Sequence, residues 1–233
     1  MARRTINYFK NIRESIINDV KDVADFHARP DKTKEAGFFS IPRNVFCYVD
    51  YLGYIAFGYK NGNRTQNTRC AEEFIKKYFP SKYRDYAELI YSMWRHGTVH
   101  GYEPTSYFAT DSKKKPNKIK VNWLSNNDSE QGNRDAHLNF YPMEGKRATI
   151  YLVVNTCQLV DDLLSALDNL VVDLENNSKK KRECEKRLNE FGNPSDFNSI
   201  QRSDSKNAVG KQIFIAWQNR SKTKINERGE TVE

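Results

Sequence analysis

The residues in this 233-residue chain best suited to chemistry lie in one run, Trp94-Arg95-His96-Gly97-Thr98-Val99-His100-Gly101-Tyr102. Histidine takes up or releases a proton near neutral pH because its unperturbed pKa is about 6.5. Arginine stays charged and presents a planar fork of donors that fits phosphate. Arg95 and His100 thus offer a fixed positive charge and a proton carrier within six residues. His96 and His100 also stand four apart, a spacing with which one helix can hold a metal. No Glu follows His96, and a further ligand would have to come from His27, His137, Asp50 or Glu103. The plainest alternative has Arg95 paired with an acid and His100 capping a helix C-terminus, where a cation is favoured.

The surrounding pattern places this run at the end of a helix. Tyr83, Tyr86, Ala87, Ile90 and Trp94 form one apolar stripe, so a helix is expected from after Ser81 to near Gly101, a good left-handed C′ residue. Earlier helices are expected from Thr5 to about Phe26, from Ile41-Pro42 to Phe57, and from Thr68 to Tyr78. The second is apolar nearly all round, which marks a central position. Asp50 interrupts it, and a carboxylate there needs a partner, with Arg95 or a tyrosine as candidates.

After Lys113-Lys114-Lys115-Pro116 the character changes. Lys118 to Leu124, Ala136 to Tyr141 and Ala148 to Val153 have strand-like content. They are read as a small antiparallel β insertion at about 113–153 in a mainly α protein. A long helix then carries Leu159, Val160, Leu163, Leu164, Leu167, Leu170, Val171 and Leu174. The expected organisation is a helical domain over 1–175 and a basic C-terminal extension over 176–233, frayed after Arg220.

The string Arg95-His96-Gly97-Thr98-Val99-His100 resembles the R-x(4–6)-H signature of the HEPN superfamily, with a polar residue directly after the arginine. The likeness spans Ile41 to Tyr102 and the helix after Asn155, and leaves the strands and the tail outside it. It implies a HEPN-like helical bundle acting as a metal-independent endoribonuclease, in which the ribose 2′-hydroxyl attacks the adjacent phosphate. By this resemblance Arg95 holds and neutralises the phosphate, His100 transfers protons, and His96 orients or assists. Asp50 would organise the site from behind, and Tyr102 would line the same groove. On an ideal helix positions 95 and 100 are roughly 140° apart, and HEPN enzymes typically pair their motifs across a dimer. A homodimer is therefore expected. The resemblance also implies a defence or toxin role with an antitoxin or regulatory partner. No metal or other cofactor is expected, and DNA would be bound at most, for want of a 2′-hydroxyl.

Composition is compatible with these expectations. A formal net charge of +8 favours a polyanionic partner such as nucleic acid, while 13 Tyr, 13 Phe and 3 Trp supply enough apolar surface for a folded core. Lys113, Lys114, Lys115, Lys118 and Lys120, with Trp123 nearby, are candidates for tracking a phosphate backbone, as is the run Lys179 to Arg182. No apolar run approaches the roughly 18 residues of a membrane span, and Met1-Ala2-Arg3-Arg4 leads into an amphipathic pattern. The four cysteines are scattered without C-x-x-C spacing, which fits a reducing cytoplasm. No P-loop, G-x-G-x-x-G or G-x-S-x-G occurs, disfavouring nucleotide-triphosphate enzymes and hydrolases of those classes. Two other classes stay open: a non-catalytic nucleic-acid-binding or protein-interaction module, and a histidine-based metal protein.

Overall fold

A computed structural model describes residues 2–27, 39–58, 64–96, 107–110, 118–126, 137–142, 149–192, 224–225 and 231–232. The chain divides into two compact units, Met1–Arg187 and Leu188–Glu233. The first is mainly helical with one small sheet.

Helix α1 (Ala2–Ile16) continues through a π-helical turn (Ile17–Lys21) into α2 (Asp22–His27). The sequence explains the wide turn. Phe9, Ile12, Ile16, Val20 and Ala24 are all buried, and the last three steps are each four residues. On a 3.6-residue helix every such step drifts by about 40°. A turn with i→i+5 bonds takes up the drift and keeps Val20 and Ala24 on the core.

Helix α3 (Ser40–Phe57) starts near the expected point, with Pro42 in its first turn, and packs on α4 (Arg64–Tyr78). Its buried residues include Val45, Phe46, Val49, Leu52, Ile55 and Ala56, the central position its composition foretold. Gly53 lets the two helices approach closely. A Cβ there would stand 2.7 Å from the Cys70 carbonyl oxygen and 2.8 Å from the Ala71 nitrogen and Cα. These are backbone atoms, so relief would require the helices to separate. Gly53→Ala gains about 1 kcal/mol in helix propensity, yet overpacking of this kind costs about 1–3 kcal/mol or more. The expected outcome is a net loss of about 1 kcal/mol, the middle of that range less the helix gain, read as a lower denaturant midpoint at an unchanged slope. An equal or higher midpoint would contradict the close approach.

The segment expected as one helix is composite: a 3₁₀ stretch (Ser81–Tyr86), α5 (Ala87–Tyr91) and a π-helical turn (Ser92–His96). Strands β1 (Tyr107–Thr110), β2 (Lys118–Asn126), β3 (Phe140–Pro142) and β4 (Thr149–Asn155) form a sheet of order β1-β2-β4-β3. The outer pairings are antiparallel, as expected of the insertion, but β2 and β4 run parallel, with Lys120 opposite Thr149 and Asn126 opposite Asn155. The sheet is therefore mixed, and β1 extends it ahead of residue 113. Parallel pairing needs a long crossover between partners, and residues 127–148 provide it, including β3 on the far side of β4.

β4 runs directly into α6 (Thr156–Asn176), whose N-cap is Asn155, with the side-chain oxygen accepting from the Gln158 N–H at 2.9 Å. Leu159, Val160, Leu163, Leu164, Leu167, Leu170 and Leu174 bury one face of α6. Helix α7 (Ser178–Gly192) follows, a helix that its apolar-poor sequence did not announce. In the second unit Lys224–Ile225 (β5) and Thr231–Val232 (β6) pair antiparallel, where the sequence led us to expect a frayed end. All four cysteines are free. Among the described residues no helix is long and apolar enough to cross a membrane.

Candidate functional site

Arg95 lies in the Ser92–His96 turn, which packs against α3. Its Nε donates to Asp50 Oδ2, and the Tyr91 hydroxyl donates to Asp50 Oδ1 at 2.5 Å. The lone carboxylate of α3 has thus found both kinds of partner its burial demanded. Tyr91 and Arg95 are four apart, and the wide turn keeps such positions closer to one line than an α-helix would. The Phe46 ring of α3 meets the Tyr91 ring edge-on at 6.4 Å. Three helical elements therefore fix the Asp50–Arg95 pair.

The electrostatics favour a permanent charge on Arg95. Burial works to lower its pKa, but the hydrogen bond to Asp50 and that carboxylate's charge outweigh burial and raise it. Burial, then the bond to Asp50, raises the Tyr91 phenol, so it stays a donor. The Arg95 side chain is 24% exposed and that of Asp50 26%, so the pair sits at the protein's edge. Asp50 occupies the Nε edge of the fork. Among the described residues it is the only acid paired with Arg95, and the two terminal nitrogens have no hydrogen-bond acceptor there. A guanidinium held by one edge can offer the other to an anion.

The remaining candidates are placed less fully. His96 closes the described helix, while His100, Tyr102, Glu103, Lys113, Lys114 and Lys115 lie outside the described residues. Lys118 and Lys120 fall on β2, paired with Thr110 and Phe108 of β1. Among the described residues no group of three or more His, Cys, Asp or Glu is arranged to hold a metal ion. His137, one possible metal ligand by sequence, belongs to a different constellation.

That constellation has no counterpart in the sequence reading. His137 and Asp162 are buried, and Tyr83 is 1% exposed. The Asn155 N–H donates to His137 Nδ1 at 2.9 Å, which makes Nδ1 an acceptor and places the ring proton on Nε2. Nε2–H then donates to the Tyr83 oxygen at 2.7 Å, and the Tyr83 hydroxyl donates to Asp162 Oδ2 at 2.8 Å. Gln158 donates to Asp162 Oδ1 at 2.8 Å, and the Lys82 ammonium stands 3.5 Å from Oδ2. Every donor meets an acceptor, so the network ties the 3₁₀ stretch, the turn before β3 and the start of α6 into one unit. With these exposures it is a structural clasp and not a substrate site.

The clasp has a pH consequence. His137 is 3.6 Å from Asp162, which would favour a charged ring. Protonation, however, would aim a new Nδ1–H at the Asn155 N–H, and burial with the nearby Lys82 charge holds the ring down to about 3. The depressed direction therefore prevails. A ring at about 6.5 when unfolded and about 3 when folded makes the unfolded chain bind the proton first. Stability should fall as pH drops from about 6.5 toward 3, with a limiting slope of ~1.4 kcal/mol per pH unit. Asp173, held below the usual carboxylate range by Lys77, Tyr78 and Lys180 against the opposing pull of burial, adds its loss only below its ordinary value near 3.8. Between pH 6.5 and 4.5 the loss should shrink in His137→Gln, measured by urea unfolding. An identical slope in that variant would contradict the assignment.

Fold and site together define a mainly helical protein with a small mixed sheet and a half-buried arginine fixed by an equally half-buried carboxylate. Comparison with protein-family models, with curated proteins and with solved structures finds no match for the chain.

Proposed function

We propose that the chain is a metal-independent endoribonuclease of the HEPN type, with Arg95 and His100 as its working residues and His96 beside them. The observation that carries this reading is the hold on Arg95: Asp50, itself bonded by Tyr91, takes its Nε, and among the described residues no other acid pairs with the outer edge of the fork. A pre-positioned cation suits phosphoryl chemistry, where charge builds on oxygens that the enzyme must meet without rearranging. The 2′-hydroxyl attacks the adjacent phosphorus and gives up its proton, while the 5′ oxygen leaves and gains one. Products are a 2′,3′-cyclic phosphate and a 5′-hydroxyl. His100 carries one of these protons, and a second copy of the chain brings its own motif to the same seam. The setting is cytoplasmic, in a defence or toxin role with a regulatory partner to restrain it, and this part rests on analogy alone.

A second reading is favoured by the same ion pair. The Asp50–Arg95–Tyr91 link also ties α3 to α5, which a non-catalytic nucleic-acid-binding or protein-interaction module would need equally. RNA and DNA of one sequence, each incubated with the protein and EDTA, separate the two. The enzyme reading expects RNA fragments ending in cyclic phosphate and intact DNA. Intact RNA, or DNA cut equally, would overturn it.

A further inference from the structure

Helix α7 is held to the bundle by very little apolar surface. Among its residues 178–189 only Cys184 is buried, so polar contacts do most of the holding. Thr5 of α1 donates to Glu185 at 2.8 Å, and Arg187 donates to the Ile55 carbonyl of α3 at 2.8 Å. Lys180 reaches deeper. Its side chain is 12% exposed, and its ammonium stands 2.9 Å from Asp173 Oδ2 of α6 and donates to the Tyr78 hydroxyl of α4. It also lies 4.7 Å from the Phe57 ring centre and 4.9 Å from that of Tyr78, so an inserted cation takes the place of an apolar anchor.

Removing one partner from a buried ion pair is usually costly, because the other charge is left uncompensated. Asp173 escapes that penalty. Its Oδ2 also receives the Lys77 ammonium at 2.8 Å and the Tyr78 hydroxyl at 2.6 Å, both from α4. When α7 departs, the carboxylate keeps two partners within the bundle, and Lys180 passes into water, where an ammonium is strongly hydrated. The joint is equally simple. Asn177 alone separates α6 from α7, is exposed, and stands at φ −127°, ψ 90°. Its side-chain oxygen accepts from the Lys180 N–H at 3.0 Å, and its carbonyl accepts from the Lys181 N–H at 2.9 Å. The N-cap is thus continuous with α7 and travels with it.

We propose that α7 is a strap that swings open about Asn177 while the bundle stays folded, with Lys180 as its latch, and that opening uncovers Phe57, Tyr78 and the Cys184 thiol. Local opening at a free energy below that of global unfolding belongs to segments with few buried apolar contacts. In the closed state burial pushes the Cys184 thiol up to about 11 and shields it. In the open state it is an ordinary exposed cysteine. The strap is independent of the chemistry at Arg95.

Labelling of the full chain with iodoacetamide, followed cysteine by cysteine through peptide mass spectrometry, tests the strap. Cys70 of α4 and Cys184 are both 0% exposed, so a difference between them reports opening and not resting burial. Cys184 should react at least about tenfold faster than Cys70, with a shallower urea dependence, because little surface opens with it. Val160→Ala loosens the core around α6, where Val160 is 1% exposed, and should speed Cys70 while leaving Cys184 unchanged. Lys180→Ala should speed Cys184 by about tenfold or more, through loss of its hydrogen bonds and ring contacts. A Cys184 that labels with the rate and urea slope of Cys70 overturns the strap. A Cys184 rate untouched by Lys180→Ala overturns the latch.

Discussion

Replacing Asp162 by alanine is expected to lower the unfolding free energy by about 2–4 kcal/mol, about 1–3 for the orphaned, buried Tyr83 hydroxyl and about 1 more for the lost Gln158 bond. The direction of each hydrogen bond explains why. The Tyr83 hydroxyl receives from His137 Nε2 and donates to Asp162, so without the carboxylate its proton has no acceptor in the network. Lys82 loses the acid 3.5 Å away, and Gln158 loses its acceptor as well. Tyr83→Phe should cost less, about 1–3 kcal/mol. There His137 Nε2–H is already 3.6 Å from Asp162 and needs only a small shift to donate directly. Asp162→Asn keeps an oxygen for Tyr83 and should fall below both. Chemical denaturation of the three variants checks the order, and Tyr83→Phe as damaging as Asp162→Ala would contradict the donor assignment.

Arg95→Ala is expected to reduce RNA cleavage by about 10²–10³-fold, the range typical when one preorganised charge-stabilising donor is removed from an active site. Stability should hardly move. Both side chains of the Arg95–Asp50 pair are about a quarter exposed, and ion pairs of that kind contribute about 0–1 kcal/mol. Asp50→Asn retains an acceptor but gives up the charge, so it should lower the rate less than Arg95→Ala. A fall in rate without a fall in melting temperature distinguishes chemistry from folding. If Arg95→Ala unfolds the protein and leaves residual activity per folded molecule intact, the pair is structural and Arg95 is not part of the active site.

The parts of the fold visible in sequence are those governed by local periodicity. α1, α3, α4 and α6 follow three- and four-residue apolar spacing, and Asp50 showed its need for a partner by interrupting an apolar helix. Arg95 supplied that partner, as its residue type allowed. The parts that escaped are non-local or sparse in apolar residues. The parallel pairing of β2 with β4 depends on a crossover, which no short window encodes. Helix α7 is held by a lysine between aromatic rings and by Cys184, so its hydrophobic signal is weak. The Tyr83–His137–Asp162 clasp joins residues 54 and 79 positions apart. Asp161 and Asp162 look alike in sequence, yet only Asp162 is buried. The four-residue steps through Ile16, Val20 and Ala24 were a legible sign of the π-helical turn, once drift around an ideal helix is counted.

The account turns on Arg95 and His100 acting together on RNA. The most direct measurement is the single-turnover cleavage rate of an RNA oligonucleotide in EDTA for wild type, Arg95→Ala and His100→Ala, each verified as folded. The account predicts cleavage by wild type and a loss of about 10²-fold or more in each variant. Equal rates in all three, or no cleavage by any, would contradict it.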